Sequence, residues 1–151
     1  MSASDPRDLY QEVILRHGRQ PSHAGKPPRY DATARGDNPM CGDRIEVFLS
    51  YGADGRIVDP RFAARGCAIS IASADLMAEA VAGLAPEAAR AVFSRFEDMA
   101  RTGACPDGDA TMELLRPLAG VHEYPSRVKC ATLPWHALMA ALDGGGLATS
   151  E

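Results

Sequence analysis

Residues 44–55, Arg44-Ile45-Glu46-Val47-Phe48-Leu49-Ser50-Tyr51-Gly52-Ala53-Asp54-Gly55, decide the fold of this chain. Ile45, Val47 and Leu49 recur every second residue, the period of a strand that buries one face. Phe48 is expected to pack on the other side. Asp54-Gly55 is a hairpin signal, because both residue types tolerate the backbone angles of a tight turn. The chain then continues from Arg56 to Ala64 as one broken strand or two short ones. The interruption is expected at Asp59-Pro60, since proline cannot donate to a sheet ladder. This segment predicts a small antiparallel sheet in the first half of the chain.

Helical patterns surround it. Asp5 to His17 reads as a first helix: Asp5 suits the cap, Pro6 the first turn, Asp8 the positive helix end, and Gly18 the stop. Leu9, Val13 and Ile14 form its apolar stripe. Ser70 to Val81 is alanine-rich, with Ala72, Leu76 and Ala80 four apart, and Gly83 ends it. Pro86 opens a third helix with Ala89, Val92, Phe93, Phe96 and Met99 inward, and Gly103 stops it. Thr111 to Leu118 predicts a short helix. Ser126 is the expected cap of a last one reaching about Leu142. The polar stretch Arg19 to Asn38 carries Pro21, Gly25, Pro27, Pro28 and Gly36. It is expected to hold no long regular element, and to cover something or move. The whole reads as α+β: a small three-stranded antiparallel sheet covered on one face by about five helices. One domain over residues 1–151 is expected, with a flexible Gly-rich tail from about 143.

Composition narrows the function. The 151 residues fit one ordinary domain, and 46% are hydrophobic, enough for a core. A formal charge of -4 and the lack of a long basic run argue against nucleic acid. No apolar run is long enough for a membrane span. Met1-Ser2-Ala3-Ser4-Asp5 opens no secretory pattern, so a cytoplasmic location is expected. Four cysteines then read as ligands or reactive thiols rather than as disulfides.

Three of those cysteines stand at element boundaries. Cys41-Gly42-Asp43 puts a thiol and a carboxylate on one side of an extended segment, with a glycine leaving room between them. Taken alone, the tripeptide also fits an ordinary turn. Cys67 follows Gly66 and precedes a helix. Cys130 falls near the start of the last helix, beside Arg127 and Lys129. A thiol near a helix N-terminus has its thiolate favoured by unpaired N–H groups. Taken singly, Cys67 and Cys130 also fit simple burial, which suits cysteine well. Pro134 lacks the N–H that would bond the Cys130 carbonyl, so the helix should bend or start irregularly there. Together Cys41, Asp43, Cys67 and Cys130 offer three sulfurs and an oxygen, a donor set for tetrahedral zinc, with iron in a cluster as the chemical competitor. Asp43 to Cys67 and Cys67 to Cys130 span 24 and 63 residues, so the fold rather than a local knuckle would assemble the site.

Other residues count for less. Cys105, in a Gly/Pro/Asp-rich connection, reads as a surface bystander. His122 is a weak candidate for the site. His17, His23 and His136 read as surface or packing residues, and Trp135 as a core or interface anchor. Neither a phosphate-binding glycine pattern nor a nucleophile elbow is present.

Four segments carry a resemblance: Leu9-Tyr10-Gln11-Glu12-Val13-Ile14-Leu15, Asn38-Pro39-Met40-Cys41-Gly42-Asp43, Gly66-Cys67-Ala68-Ile69-Ser70 and Arg127-Val128-Lys129-Cys130-Ala131-Thr132-Leu133-Pro134-Trp135. Over residues 8–142 the chain resembles the U-type iron–sulfur cluster assembly proteins, and within them the SufU-type branch. The scaffold branch has histidine where Lys129 stands, and a shorter connection than the segment from Gly103 to Pro125. The resemblance implies zinc held by Cys41, Asp43, Cys67 and Cys130. It implies that Cys41 accepts persulfide sulfur from a SufS-type cysteine desulfurase, freed when a histidine of that enzyme replaces it on zinc. Arg127 and Lys129 would assist docking, and the downstream Suf machinery would receive the sulfur. The alternative it implies is a scaffold on which an iron–sulfur cluster forms and from which it is transferred.

Overall fold

The computed structural model describes residues 6–39, 42–104, 109–144 and 146–149. Three antiparallel strands, β1 (Ala32–Asn38), β2 (Asp43–Tyr51) and β3 (Ile57–Arg65), form the sheet. A short β4 (Gly146–Thr149) runs parallel to β1, giving the order β3-β2-β1-β4. Among the described residues five helices accompany it: α1 (Pro6–Arg19), α2 (Ala68–Val81), α3 (Pro86–Thr102), α4 (Ala110–Leu115) and α5 (Pro125–Leu142). A 3-10 segment at Arg116–Glu123 links α4 to α5. This is the α+β architecture read from the sequence.

The strand pattern around Val47 holds. Ile45, Val47 and Leu49 are buried under the helices, and Phe48 is buried on the opposite face against Tyr30, ring centroids 5.1 Å apart. The third strand comes from an unexpected place. Ala32–Asn38 lies in the stretch expected to stay irregular, yet it pairs along its length with β2. Its inward residues are Ala34, Gly36 and Asn38, too small or polar to give a hydrophobic alternation. Their smallness has a packing reason: a Cβ on Gly36 would sit 3.0 Å from Leu133 Cδ1 of α5. β3 stays one strand but is broken at Asp59-Pro60 as expected: Asp59 takes φ 44, and the pairing with β2 shifts register between Val58, opposite Ser50, and Arg61, opposite Phe48. Backbone pairing of Gly146–Thr149 with β1 adds structure beyond the glycine run.

Packing places α5 over β1 and β2 and α2 over β3, with the two helices touching each other. Trp135 of α5 is fully buried, with Phe96 at 4.8 Å and Phe93 at 6.0 Å in near-parallel stacks. Each such side chain removed from water contributes about 1.5–3 kcal/mol. Asp75 of α2, fully buried, holds α1 and the connection after it. His17 Nδ1 lies 2.5 Å from its Oδ2, and the His23 N–H donates to its Oδ1 at 2.8 Å. Cap predictions divide. Gly103 closes α3 at φ 77, whereas α5 is entered through Tyr124 rather than Ser126, with Pro125 in its first turn. Asp5 lies outside the described residues. Among the described residues, no helix is long and apolar enough to cross a membrane.

Candidate metal centre

Three elements converge at one end of the sheet. Asp43 is the first residue of β2, opposite Asn38 of β1, and is buried. Cys67 follows β3 and Gly66 and caps α2, with φ -76 and ψ 163. Cys130 lies in the second turn of α5 and is also buried. One oxygen of Asp43 and the two sulfurs lie within 4.8 Å of one another. Cys67 stays exposed, so the group has a solvent side. Two thiols and one fixed carboxylate in this space fit a thiolate-preferring metal, zinc or iron, better than magnesium or calcium.

The carboxylate is held on several sides. The Cys67 N–H donates to Asp43 Oδ1 at 3.1 Å, and the Ser70 hydroxyl donates to Oδ2 at 2.7 Å. Gly66 presses against it, so that a Cβ there would collide with Oδ1 and sit 2.7 Å from the carboxyl carbon. On the α5 side, Pro134 offers no N–H to the Cys130 carbonyl, and the Ser70 oxygen lies 3.2 Å from that carbonyl instead. The helix nevertheless continues unbroken to Leu142.

The two thiols are electrostatically unequal. Cys67 is pulled down to about 6, first by a hydrogen bond from Cys130, then by the Ser70 N–H and hydroxyl, against burial. Its sulfur accepts from the Ser70 N–H at 3.5 Å, the helix-end effect expected from its position. Cys130 is pushed well above the ordinary thiol value, chiefly because it donates to Cys67 and then because it is buried. The expectation of an activated Cys130 is therefore corrected. It lies past the free N–H groups of the first turn and serves as the proton-bearing partner of Cys67. A metal ion taking the place of that proton would draw both sulfurs onto one centre.

Of the predicted site residues, Asp43, Cys67 and Cys130 come together. Cys41 lies outside the described residues; the Gly42 N–H that follows it in sequence donates to the Asn38 carbonyl at 2.8 Å. Cys105 also lies outside them. Arg127 and Lys129 are exposed on the first turns of α5, and the Arg127 guanidinium sits 4.6 Å over the exposed Tyr124 ring. His122 does not join the donors; its Nδ1 faces the Ala119 carbonyl at 2.9 Å, and its ring lies against Gly103. His136 packs edge-on to Phe93. Sequence reasoning assigns no role to Gly66 or to Ser70. Their signal is only positional: one residue before Cys67 and three after it.

Comparison with known proteins places this geometry. Residues 9–131 match the NifU-like N terminal domain. The chain is 38% identical over 141 residues to the zinc-dependent sulfurtransferase SufU of Bacillus subtilis (strain 168), covering 91% of this chain and 93% of that protein. It is 36% identical over 146 residues to the iron–sulfur cluster assembly scaffold protein IscU of Streptococcus pyogenes serotype M1, covering 94% and 87%. The crystal structure of FiSufU, a SUF-system protein of Fervidobacterium islandicum AW-1, superposes with a TM-score of 0.79 at 30% identity, over 91% of this chain and 99% of that one. On this combination of sequence, fold and clustered donors, the chain belongs to the NifU-like N-terminal domain family, among the IscU- and SufU-like iron–sulfur cluster assembly proteins.

Proposed function

We propose that this protein is a platform on which an iron–sulfur cluster is built and from which it is passed on. Cys67, Cys130 and Asp43, with Cys41 as the fourth donor, hold the iron and sulfide of the nascent cluster as cargo. The observation that carries this reading is the meeting of two thiols and a buried carboxylate within 4.8 Å at a partly open end of the sheet. An open side suits a cargo that must leave, whereas a purely structural metal is normally closed off. The test supplies ferrous iron, cysteine, a cysteine desulfurase and a thiol reductant, which brings the persulfide sulfur to sulfide, under anaerobic conditions. A visible iron–sulfur chromophore should form on the wild type, pass to an apo iron–sulfur protein, and fail to form on Cys67→Ala. Absence of any chromophore on the wild type would defeat it.

One observation favours a second reading, in which the protein is a zinc-dependent sulfur acceptor. Lys129, not histidine, precedes Cys130, as in the SufU-type branch, and the Bacillus subtilis relative is a zinc-dependent sulfurtransferase. Zinc would be resident on Asp43, Cys67, Cys130 and Cys41, supplying positive charge that keeps thiols deprotonated near neutral pH. Cys41 would attack the outer sulfur of a persulfide on a SufS-type cysteine desulfurase. It becomes a persulfide, and the enzyme's cysteine leaves as a thiol. Arg127 and Lys129, both exposed, would meet that partner. In this case the zinc-loaded protein accelerates desulfurase turnover and Cys41→Ala abolishes the effect. Measuring metal content and turnover on the same sample separates the two readings.

A further inference from the structure

We propose that Ser70 is the positioning residue of the metal centre, fixing the Asp43 carboxylate and tying all three donors to one another. The inference rests on the reading of Asp43, Cys67 and Cys130 as ligands. Ser70 is buried and touches each of them. Its hydroxyl donates to Asp43 Oδ2 at 2.7 Å, its backbone N–H donates to Cys67 Sγ at 3.5 Å, and its oxygen lies 3.2 Å from the Cys130 carbonyl. The Cys67 thiol also lies 3.6 Å from the same hydroxyl.

A serine hydroxyl has one hydrogen, and the shorter contact takes it, so Asp43 receives the bond. That choice has a consequence at the metal side. With Oδ1 engaged by the Cys67 N–H and Oδ2 by Ser70, rotation of the carboxylate breaks both bonds, and the held Oδ2 lies 3.6 Å from the Cys67 sulfur. Hydrogen bonds to a ligating carboxylate are the kind of outer support whose loss weakens metal binding about 10- to 100-fold. Pro134 sharpens the argument. By leaving the Cys130 carbonyl without its helical N–H, it opens the place on α5 beside which the Ser70 oxygen sits, bringing α2, β2 and α5 together at one atom.

The same helix supplies the control. Ser73, three residues on, is fully buried and donates to the Ala131 carbonyl at 2.5 Å, yet hydrogen-bonds none of the donors. Deleting either hydroxyl removes one buried hydrogen bond made by α2, but only Ser70→Ala disturbs the ligands. The experiment uses the full chain as wild type, Ser70→Ala, Ser73→Ala and Ser70→Thr. It measures zinc affinity by competition with a chromophoric chelator, the cobalt(II) absorption spectrum, and urea stability of the metal-free form. Ser70→Ala should bind zinc about 10- to 100-fold more weakly with altered cobalt bands. Ser73→Ala should lose stability but keep wild-type affinity and spectrum, and Ser70→Thr, which retains the hydroxyl, should recover most of the loss. Wild-type affinity in Ser70→Ala, an equal loss in Ser73→Ala, or a folded Ser70→Thr no better than alanine overturns the proposal. A wild type that takes up neither metal overturns the metal centre itself, an outcome distinct from failure at Ser70 alone.

Discussion

Gly66 and Asp43 are in contact so close that no side chain fits between them: a Cβ on Gly66 would collide with Asp43 Oδ1 and lie 2.7 Å from its carboxyl carbon. The backbone before Cys67 is thus the floor on which the carboxylate rests. Gly66→Ala should push Asp43 off its bonds to the Cys67 N–H and the Ser70 hydroxyl. Overpacking of this kind costs about 1–3 kcal/mol of stability. Zinc affinity should fall at the same time. Urea melts of the metal-free protein and chelator competition check both; an alanine variant that binds metal as the wild type does would mean that Asp43 needs no fixed position.

The inequality of the two thiols is open to chemical labelling. In metal-free protein, Cys67 is exposed and pulled down to about 6, while Cys130 is buried and pushed up. Iodoacetamide at neutral pH should modify Cys67 well before Cys130, by peptide mass mapping. Since the Cys130 hydrogen bond is the largest cause of the Cys67 shift, Cys130→Ala should slow Cys67 labelling at neutral pH. Equal labelling of both thiols would contradict the shared-proton arrangement.

Much of this site is legible in the amino-acid sequence. Asp43, Cys67 and Cys130 stand out as polar, metal-loving residues at turn boundaries, and the strand through Val47 by its alternation. What stays hidden depends on three-dimensional neighbours. β1 escapes a reading by pattern because Ala34, Gly36 and Asn38 face inward beneath α5, where small residues are required and hydrophobic alternation is lost. Ser70 looks like any helix-start serine until Asp43, 27 residues earlier, is folded against it. Cys130 reads as too near its helix end because Ser126 resembles a cap, whereas Tyr124 and Pro125 begin the helix.

Asp75 anchors α1 through His17 and the following connection through the His23 N–H. Removing the carboxylate takes away both bonds at once. Asp75→Ala should cost about 1–3 kcal/mol, the scale of leaving buried hydrogen-bonding groups without their partner. It should also loosen α1, seen as faster amide exchange over residues 11–23. A variant as stable as the wild type would show that α1 is held by apolar packing alone.

His136 gives the protein a pH dependence away from the metal. Burial lowers its pKa, opposed by Glu97 and reinforced by Arg101. Below about 6.5 the unfolded chain protonates this histidine more readily than the folded one does, so stability falls as pH drops through that range. Above it both forms are neutral and the effect disappears. Urea midpoints should therefore decline on acidification in the wild type, and less steeply in His136→Gln. Parallel declines in the two proteins would assign the dependence to other groups.

The most direct test of the metal centre is X-ray absorption at the zinc edge on protein loaded with one equivalent of the ion. The account predicts a four-coordinate first shell dominated by sulfur at about 2.3 Å with an oxygen scatterer from Asp43, and one sulfur fewer in Cys67→Ala. A shell of nitrogen and oxygen alone, or one unchanged by Cys67→Ala, would contradict it.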